Sequence, residues 1–363
     1  MPITSLRIQN IRNLSEIAFE PSSRINIVYG ANGSGKTSLL EAIHFLGLTR
    51  SFRTHQFRYL VSSDHKSSLV FAEVQSRIDT KPQPLGVTRA VDGAVNIRYA
   101  GQTMELPDLA SLLPLQVINT DTFDLLEGSP SIRRQFIDWG AFHAEARFIH
   151  LWRGFKRALQ QRNSLLKCGK IDRTLRQIWD KELVQYAEPL TNLRQQYIEQ
   201  LIPDFEAILS RLNADLDVRL KFSPGWDQSI PLDELLETNF ERDLKQGFTG
   251  SGPQRADLRV KADGISAAER LSRGQKKLVV SALKLAQGNV FHRMSERPCI
   301  YLIDDLPSEL DEAHCRFFCE FLENTHNQCF ITCVDPAALL PFWKDDTDLA
   351  CFELSQGQLI ETD

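Results

Sequence analysis

The sequence has little of what marks an exported or membrane protein. No stretch of apolar residues reaches the ~18–20 that a membrane-spanning helix needs. The opening residues, Met-Pro-Ile-Thr-Ser-Leu-Arg, lack the basic, apolar and small-residue regions of a signal peptide. The 7 cysteines include no Cys-x-x-Cys pair, which indicates reduced, buried thiols instead of a disulfide framework or a zinc site. We therefore expect a cytosolic protein.

Disorder, low complexity and internal repeats are also absent. Of the 363 residues, 42% are hydrophobic and 25% are charged, as in ordinary folded domains. At roughly 100–200 residues per domain, this length allows one large domain or two moderate ones.

The formal charge of −5 conceals an uneven distribution. Residues 133–181 hold 12 bases and 4 acids, a net charge of +8, whereas residues 296–363 hold 15 acids and 3 bases. A local excess of this kind decides whether an anionic polymer can bind. The alternative is a solvated helix face. If DNA binds, the candidate contacts are Arg133, Arg134, Arg153, Lys156 and Arg157.

Apolar spacing predicts an α/β order with a helical insertion. Alternating residues predict strands before Tyr29, and helical spacing predicts a helix over 38–46. Short alternating runs broken by turns predict an antiparallel meander over 68–118. From about 131 to 213 proline and glycine become scarce and apolar residues recur at three and four, which predicts long helices. Beyond a strand near 258–260 and a long helix from about 272, residues 299–303 and 329–333 predict buried parallel strands separated by a helix over 313–324.

One motif lies between the predicted strand that ends at Tyr29 and the helix that follows. It fits G-x-x-x-x-G-K-[ST], and this context is typical of a phosphate-binding loop. Glycines let backbone N–H groups face phosphates, the lysine reaches the β- and γ-phosphates, and the threonine holds Mg²⁺. The residues are Gly30, Ala31, Asn32, Gly33, Ser34, Gly35, Lys36 and Thr37.

Two acids follow the buried strand 299–303. A carboxylate at the C-terminal edge of such a strand, beside a phosphate loop, is where Mg²⁺ needs a second anchor. We assign Asp304 to the metal and Asp305 to the attacking water. Lys36, which reaches the phosphates, is the second catalytic residue beside Asp305.

A further motif, Leu271-Ser272-Arg273-Gly274-Gln275, opens a predicted helix. It is similar to the signature sequence of ABC-type ATPases. In that family the serine hydroxyl and glycine N–H contact the γ-phosphate on the opposite subunit, and the resemblance gives these roles in trans to Ser272 and Gly274, with Gln275 beside them. The segment after Asp305 resembles the family's D-loop, which lines the dimer interface, at Ser308 and Asp311.

Spacing within the resemblance separates the branches of the family. The 236 positions from Lys36 to Ser272 leave room for an inserted arm, whereas 30 positions separate Gly274 from Asp304. This pattern resembles the chromosome-maintenance branch, and within it the repair ATPases with a short helical arm. The implied fold is an α/β ABC-type ATPase head, with a P-loop parallel sheet and an antiparallel β subdomain. The arm occupies 131–245, between the head's N-terminal part (1–130) and its C-terminal part (246–363).

The resemblance also assigns residues outside the main motifs. Arg12 and Asn13 match positions near the nucleotide, and Gln116 matches the Q-loop ligand that senses Mg²⁺ and water; surface or sheet-edge roles are the alternatives. Two departures matter. Asp305 stands where many ABC ATPases have glutamate, which suits slow hydrolysis. The usual switch histidine is absent from Ile331-Thr332-Cys333-Val334-Asp335.

The function implied by the resemblance is an ATP-driven dimer that binds gapped DNA. Together with RecR and RecO, the dimer helps to load RecA recombinase, and it is needed for SOS induction. Its ATP hydrolysis is slow and is stimulated by DNA. The cofactors are ATP and Mg²⁺. The alternatives are the ATPase subunit of an ABC transporter and a P-loop kinase of small molecules.

Overall fold

The computed structural model describes residues 2–54, 56–75, 81–168, 173–325 and 327–360. The chain forms two compact units. The first is built from both ends of the chain, Met1–Thr122 with Glu296–Asp363, and the second is Phe123–Ser295. The predicted boundaries at 130/131 and 245/246 stay a prediction.

The strands and helices alternate as an α/β chain with a long helical stretch. The strands are β1 (Ile3–Ile11), β2 (Leu14–Phe19), β3 (Ile25–Tyr29), β4 (Ser67–Val74), β5 (Gln83–Ala90), β6 (Val95–Tyr99), β7 (Gln102–Thr103), β8 (Leu115–Ile118), β9 (Val218–Ser223), β10 (Asp257–Ala262), β11 (Ile265–Ser266), β12 (Ile300–Ile303), β13 (Gln328–Cys333), β14 (Leu349–Ser355) and β15 (Gln358–Ile360). The helices are α1 (Lys36–Leu48), α2 (Leu106–Leu112), α3 (Asp124–Glu127), α4 (Pro130–Ala144), α5 (Phe148–Cys168), α6 (Arg173–Leu212), α7 (Leu232–Thr238), α8 (Phe240–Gln246), α9 (Ala267–Arg270), α10 (Arg273–Ser295), α11 (Leu306–Glu309) and α12 (Glu312–Glu323).

The first unit contains a mostly parallel sheet in the order β15-β14-β3-β13-β12-β8. Strand β13 pairs in parallel with both β3 and β12, and β12 pairs in parallel with β8. Every residue of β12 and β13 is buried, as continuous apolar strands of a covered parallel sheet are. The carboxyl ends of β3 and β12 therefore lie at the same edge of the sheet, and the predicted strands here are confirmed.

An antiparallel sheet in the order β2-β1-β4-β5-β6-β7 forms the other layer of this unit. Its inward side chains, such as Ile8 and Val70, share one core cluster with Phe45 of α1 and Leu302 of β12. The predicted meander is confirmed up to β7, but its last part was wrong. Residues 106–112 form helix α2, and β8 belongs to the parallel sheet because it pairs with β12.

The second unit combines helices α3–α10 with a small sheet in the order β11-β10-β9. Helix α6 is 40 residues long and continues through Pro189 and Pro203, and it packs against α5 and α10. The long helices predicted after residue 131 are confirmed. Within the described ranges, no helix combines the length and the apolar character needed to cross a membrane.

Candidate nucleotide-binding site

The phosphate loop joins β3 to α1 and depends on its glycines. Gly30, Gly33 and Gly35 have φ values of 146°, 82° and 114°, which L side chains rarely adopt. A Cβ atom at Gly30 would also collide with the carbonyl oxygen of Leu354. Because Gly35 caps α1, the free N–H groups at the start of this helix face the loop, which is the arrangement that binds phosphate.

Lys36 is the first residue of α1, and its ammonium group lies inside the loop. Nζ donates to the carbonyl oxygens of Gly30 at 2.7 Å and Ala31 at 3.0 Å, and the residue is 8% exposed. The lysine is therefore held by the backbone that a phosphate would approach, so its charge is already directed at the loop.

Thr37 and Asp304 meet at the edge of the parallel sheet. Thr37 Oγ1 donates to Asp304 Oδ2 at 2.9 Å and lies 3.1 Å from Oδ1. The Asp304 carboxylate also accepts a hydrogen bond from Thr332 Oγ1 at 2.7 Å. The structure thus brings together two of the three residues assigned to Mg²⁺ from the sequence, although these two are 267 positions apart.

The Thr332 hydroxyl forms hydrogen bonds with both Asp304 and Asp305. It donates to Asp304 Oδ1 and accepts from the backbone N–H of Asp305 at 2.8 Å. Sequence reasoning missed this residue, although a polar residue inside the apolar strand β13 was a visible signal. It occupies the stretch from which the switch histidine is absent, and it holds the acids in place from the neighbouring strand.

These groups line a cavity of about 510 Å³. Eight of the predicted site residues contribute to it: Asn13, Asn32, Gly33, Gly35, Lys36, Thr37, Asp304 and Asp305. Four residues that the sequence did not single out also line it: Ser38, Arg53, Thr120 and Glu309. All twelve belong to the first unit.

Arg12 and Asn13 follow β1, and their side chains have different partners. The Arg12 guanidinium forms a bidentate ion pair with Glu41, with Nε and Nη2 each 2.9 Å from a carboxylate oxygen. Glu41 is fully buried and also accepts a hydrogen bond from Ser51. Asn13 Oδ1 accepts a hydrogen bond from Ser38 Oγ at 2.9 Å. Asn13 therefore lines the cavity, whereas Arg12 neutralises a buried acid of α1 and is not among the lining residues.

Gln116 does not line the cavity. It lies in β8, opposite Tyr301 of β12, and is 1% exposed. The residue that reaches the cavity from this part of the chain is Thr120. The role assigned to Gln116 stays a prediction.

The signature segment begins α10 in the second unit. Ser272 and Gln275 form a reciprocal cap: the Ser272 N–H donates to Gln275 Oε1 at 3.0 Å, and the Gln275 N–H donates to Ser272 Oγ at 3.3 Å. Ser272 and Gly274 are exposed, and a Cβ atom on Gly274 would meet nothing within 4 Å. The start of this helix is therefore exposed, and the role in trans of Ser272 and Gly274 stays a prediction.

Of the predicted D-loop residues, Ser308 lies within α11 and Asp311 follows this helix. Ser308 is exposed. Asp311 caps α12 by accepting hydrogen bonds from the His314 N–H at 3.0 Å and from Nδ1 at 2.7 Å. The backbone hydrogen bond is the main cause that lowers the pKa of Asp311. Asp311 therefore has a structural role within its own chain, although it is exposed, as Ser308 is.

Many cations of the basic stretch have internal partners. Arg133 forms a bidentate pair with Asp257, and Arg134 Nη1 donates to the carbonyl oxygen of Ala256 at 2.8 Å. Burial is the main cause that lowers the pKa of Arg134.

On α5, the cations that were predicted to contact DNA also have neighbours. Lys156 lies over the Trp152 ring at 4.4 Å, and Arg157 pairs with Glu182 at 2.7 Å while staying 62% exposed. Arg153 also has an interaction partner. Lys170 and Asp172, which were counted in the +8 charge, lie outside the described residues. The DNA-contacting role of this stretch stays a prediction.

Three features define a P-loop ATPase of the ABC type. They are a phosphate loop that follows β3, a hydroxyl and carboxylate pair at the mouth of that loop, and a capped signature helix. The family model described as "RecF/RecN/SMC N terminal domain" matches residues 2–341. The chain belongs to this family, and within it to the RecF proteins.

Two curated relatives illustrate the match, and each is named "DNA replication and repair protein RecF". The protein of Marinomonas sp. (strain MWYL1) is 47% identical over 360 residues, which cover 99% of this chain and 97% of the relative. The protein of Azotobacter vinelandii (strain DJ / ATCC BAA-1303) is 48% identical over 364 residues, which cover 100% and 99%. These relatives are repair proteins, so the transporter alternative is not supported.

Solved structures confirm the predicted fold class. The structure described as "Structure of the recombination mediator protein RecF-ATP in RecFOR pathway" superposes with a TM-score of 0.88 at 24% identity, covering 100% of this chain and 98% of that chain. An Smc head domain with a coiled coil and joint, derived from Pyrococcus yayanosii, gives a TM-score of 0.61 at 14% identity, covering 100% and 98%.

Proposed function

We propose that this chain is an ATPase of DNA replication and repair, which dimerises on ATP and in that state binds gapped DNA. The observation that carries the proposal is the contact between Thr37 and Asp304 at the mouth of the phosphate loop. The names of its close relatives supply the process in which the ATPase acts.

ATP fits the site through the backbone and Lys36. The glycine-rich loop and the start of α1 receive the phosphates, and Lys36 exchanges its two carbonyl partners for phosphate oxygens. Asn13, at the cavity wall, adds an amide beside the loop. These contacts bind and orient the phosphates without covalent chemistry, which is what phosphoryl transfer requires of a protein.

Mg²⁺ fits the donor set formed by Thr37 and Asp304. A hydroxyl and a carboxylate are hard oxygen ligands of the kind that Mg²⁺ prefers, and Thr332 orients the carboxylate. When bound, the ion neutralises charge that develops on the transferred phosphoryl group.

Asp305 supplies the carboxylate that orients the attacking water. Its backbone N–H is fixed by Thr332, and its side chain faces the cavity beside Glu309. Because the aspartate side chain is one methylene shorter than that of glutamate, we propose that hydrolysis is slow. We also propose that DNA stimulates it. ATP then acts chiefly as the link between two subunits.

The signature residues act in trans. Ser272 and Gly274 are exposed at the start of α10, where backbone N–H groups and a hydroxyl offer an anion site. We propose that they contact the γ-phosphate on a second copy, with Ser308 at the same interface. On DNA this dimer would recognise junctions between single and double strands and promote RecA loading with RecR and RecO. This activity, in the cytoplasm, would support SOS induction.

The test measures binding of the full chain to a gapped duplex with ATP, with ADP and without nucleotide, with the complexes sized by analytical ultracentrifugation. Dimers on DNA that need ATP are expected. Binding that is indifferent to nucleotide would refute the dimer model.

Two variants separate the roles in cis and in trans. Lys36→Ala should weaken ATP binding or turnover, because it removes the phosphate contact. Ser272→Ala should leave ATP binding within about twofold while abolishing ATP-induced dimers, because its contact lies on the other subunit. Equal nucleotide-binding defects in both variants would contradict the assignment of Ser272.

A further inference from the structure

The small sheet of the second unit carries a ladder of like charges. Strands β9 and β10 are antiparallel, and their register places Arg259 opposite Lys221 and Lys261 opposite Arg219. All four side chains are exposed. Directly opposed residues of an antiparallel pair share one face of the sheet, so the four cations form a single cluster, which we call the basic ladder.

The acids around the basic ladder do not neutralise it. Arg219 pairs with Asp217 at 2.8 Å and with Glu206 at 3.0 Å, in ion pairs that are well exposed and therefore weak. In the described part of the chain, Lys221, Arg259 and Lys261 have no hydrogen bond or ion pair from their side chains.

The nearby carboxylates are already engaged with other cations. Asp257, on the same face, is held by both ends of the Arg133 guanidinium. Asp263 pairs with Arg270 at 2.9 Å, and Glu127 pairs with Lys276 at 2.6 Å. Three cations of the basic ladder thus have no ion-pair partner among the described residues, and with Asp217 and Glu206 counted the cluster has a net charge of +2.

Like charges placed directly opposite each other across two strands destabilise a sheet. Nothing in the fold requires them, because the same strands bury Val218, Phe222, Leu258 and Val260 on the other face. A surface that costs stability and contributes no packing is typical of a binding site. The ligand must be anionic and must extend over several side chains.

Phosphate contacts fit this surface better than a protein interface does. The other residues on the face are Ser223, Asp257 and Ser266, and none of them is the apolar or aromatic anchor on which protein interfaces depend. A groove of about 350 Å³ runs beside the ladder between β10 and residues 126–128, with Arg259 and Lys261 in its wall. Lysine and arginine without base-reading neighbours bind a nucleic-acid backbone regardless of sequence.

We propose that the basic ladder is a surface on which this ATPase holds the phosphate backbone of DNA. The inference rests on the proposed function and names the part of the chain that carries it. It differs from the α5 cations suggested by the sequence, because those have partners within the fold.

The experiment measures fluorescence anisotropy of a labelled gapped duplex with the full chain and ATP over a range of salt concentrations. The test variant is Lys221→Gln/Arg259→Gln/Lys261→Gln. Each phosphate contact contributes about 0.9 to the slope of log K against log salt, so the slope should fall by about 2.7. The affinity at low salt should fall on the order of tenfold or more, because three phosphate contacts are removed.

A matched control removes the same number of positive charges from another part of the chain. Lys66→Gln/Lys81→Gln/Lys344→Gln removes three exposed lysines of the first unit and should change the affinity less than about threefold, since diffuse charge contributes little at moderate salt. The α5 variant Arg153→Gln/Lys156→Gln/Arg157→Gln tests the rival surface. If the α5 variant loses more affinity than the ladder variant, the proposal is overturned.

A second measurement separates binding from folding. Without DNA, the ladder variant should melt at the same temperature as the wild type or at a higher one, because neutralisation relieves cross-strand repulsion. A lower melting temperature would mean that the cations stabilise the fold, which overturns the inference.

The remaining outcomes are also decisive. Unchanged DNA binding by the ladder variant would reject DNA as the ligand and leave an acidic protein surface as the occupant. If the wild type itself fails to bind DNA with ATP, the proposed function fails first. The wild-type arm therefore distinguishes the two failures.

Discussion

Arg162 of α5 holds the helices of the second unit together through buried charge. Its side chain is fully buried, and Nη1 donates to Asp243 at 2.9 Å and to Thr249 at 2.7 Å. Nε donates to Asp180 at 2.6 Å. Asp243 is fully buried as well, and its other oxygen accepts from the Gly250 N–H at 3.0 Å.

Replacing Arg162 with methionine should destabilise the second unit by about 3–5 kcal/mol, the usual cost of leaving a buried charge without its partner. The loss arises mainly at Asp243, because Asp180 keeps a second cation in Arg176 at 3.5 Å. The double variant Arg162→Met/Asp243→Asn should be less destabilised than Arg162→Met alone, because a neutral amide keeps the Gly250 hydrogen bond and leaves no bare charge.

Urea unfolding followed by tryptophan fluorescence suits this measurement, because four of the five tryptophans (Trp139, Trp152, Trp179 and Trp226) belong to the second unit. Arg157→Met is the matched control on the same helix. Its pair with Glu182 is exposed, so a loss below about 1 kcal/mol is expected. The reasoning is refuted if Arg162→Met costs no more than this control, or if Asp243→Asn adds to its effect instead of offsetting it.

Three further predictions concern the site and the titrating groups. Thr332→Val should lower ATP turnover about tenfold with little change in KM, because Asp304 and Asp305 both lose their hydrogen bonds with the Thr332 hydroxyl. The rate of phosphate release measures the turnover, and Thr332→Ser should restore it. Burial lowers the pKa of Lys284 to about 8. Between this pH and about 10.4, the pKa of an unperturbed lysine, the unfolded chain binds more protons than the folded chain, so stability should rise with pH. In thermal melts, Lys284→Met should remove this rise. At pH 8 a thiol reagent should modify Cys168 first, because it is exposed whereas burial raises the pKa of Cys315 to about 11; rapid labelling that survives in Cys168→Ser would contradict this.

The parts of the site that sequence could predict are local ones. The phosphate loop is a continuous motif between a strand and a helix, and Asp304 follows a strand whose burial is visible in its composition. The parallel order of β3 and β12 then brings Thr37 and Asp304 together. Thr332 escaped notice because its role depends on which strand lies next to β12.

Charge was harder to judge from the sequence than topology. The +8 stretch was counted from neighbours in the chain, but its cations pair with distant acids. Asp257 lies 124 positions from Arg133, and Asp243 lies 81 positions from Arg162. The basic ladder was missed for the same reason, because two short strands about 40 positions apart carry two cations each and only their register unites them.

Asp305 lies two residues after the end of β12, with φ of 52° and ψ of 49° in the left-handed region, and it caps α11. That conformation costs most L residues roughly 1–2 kcal/mol, whereas the short polar side chains of aspartate and asparagine tolerate it. The backbone therefore favours aspartate where a longer carboxylate would reach further. In the proposed function, the geometry of this one turn would set how long ATP survives in the site, and hence how long two subunits stay associated.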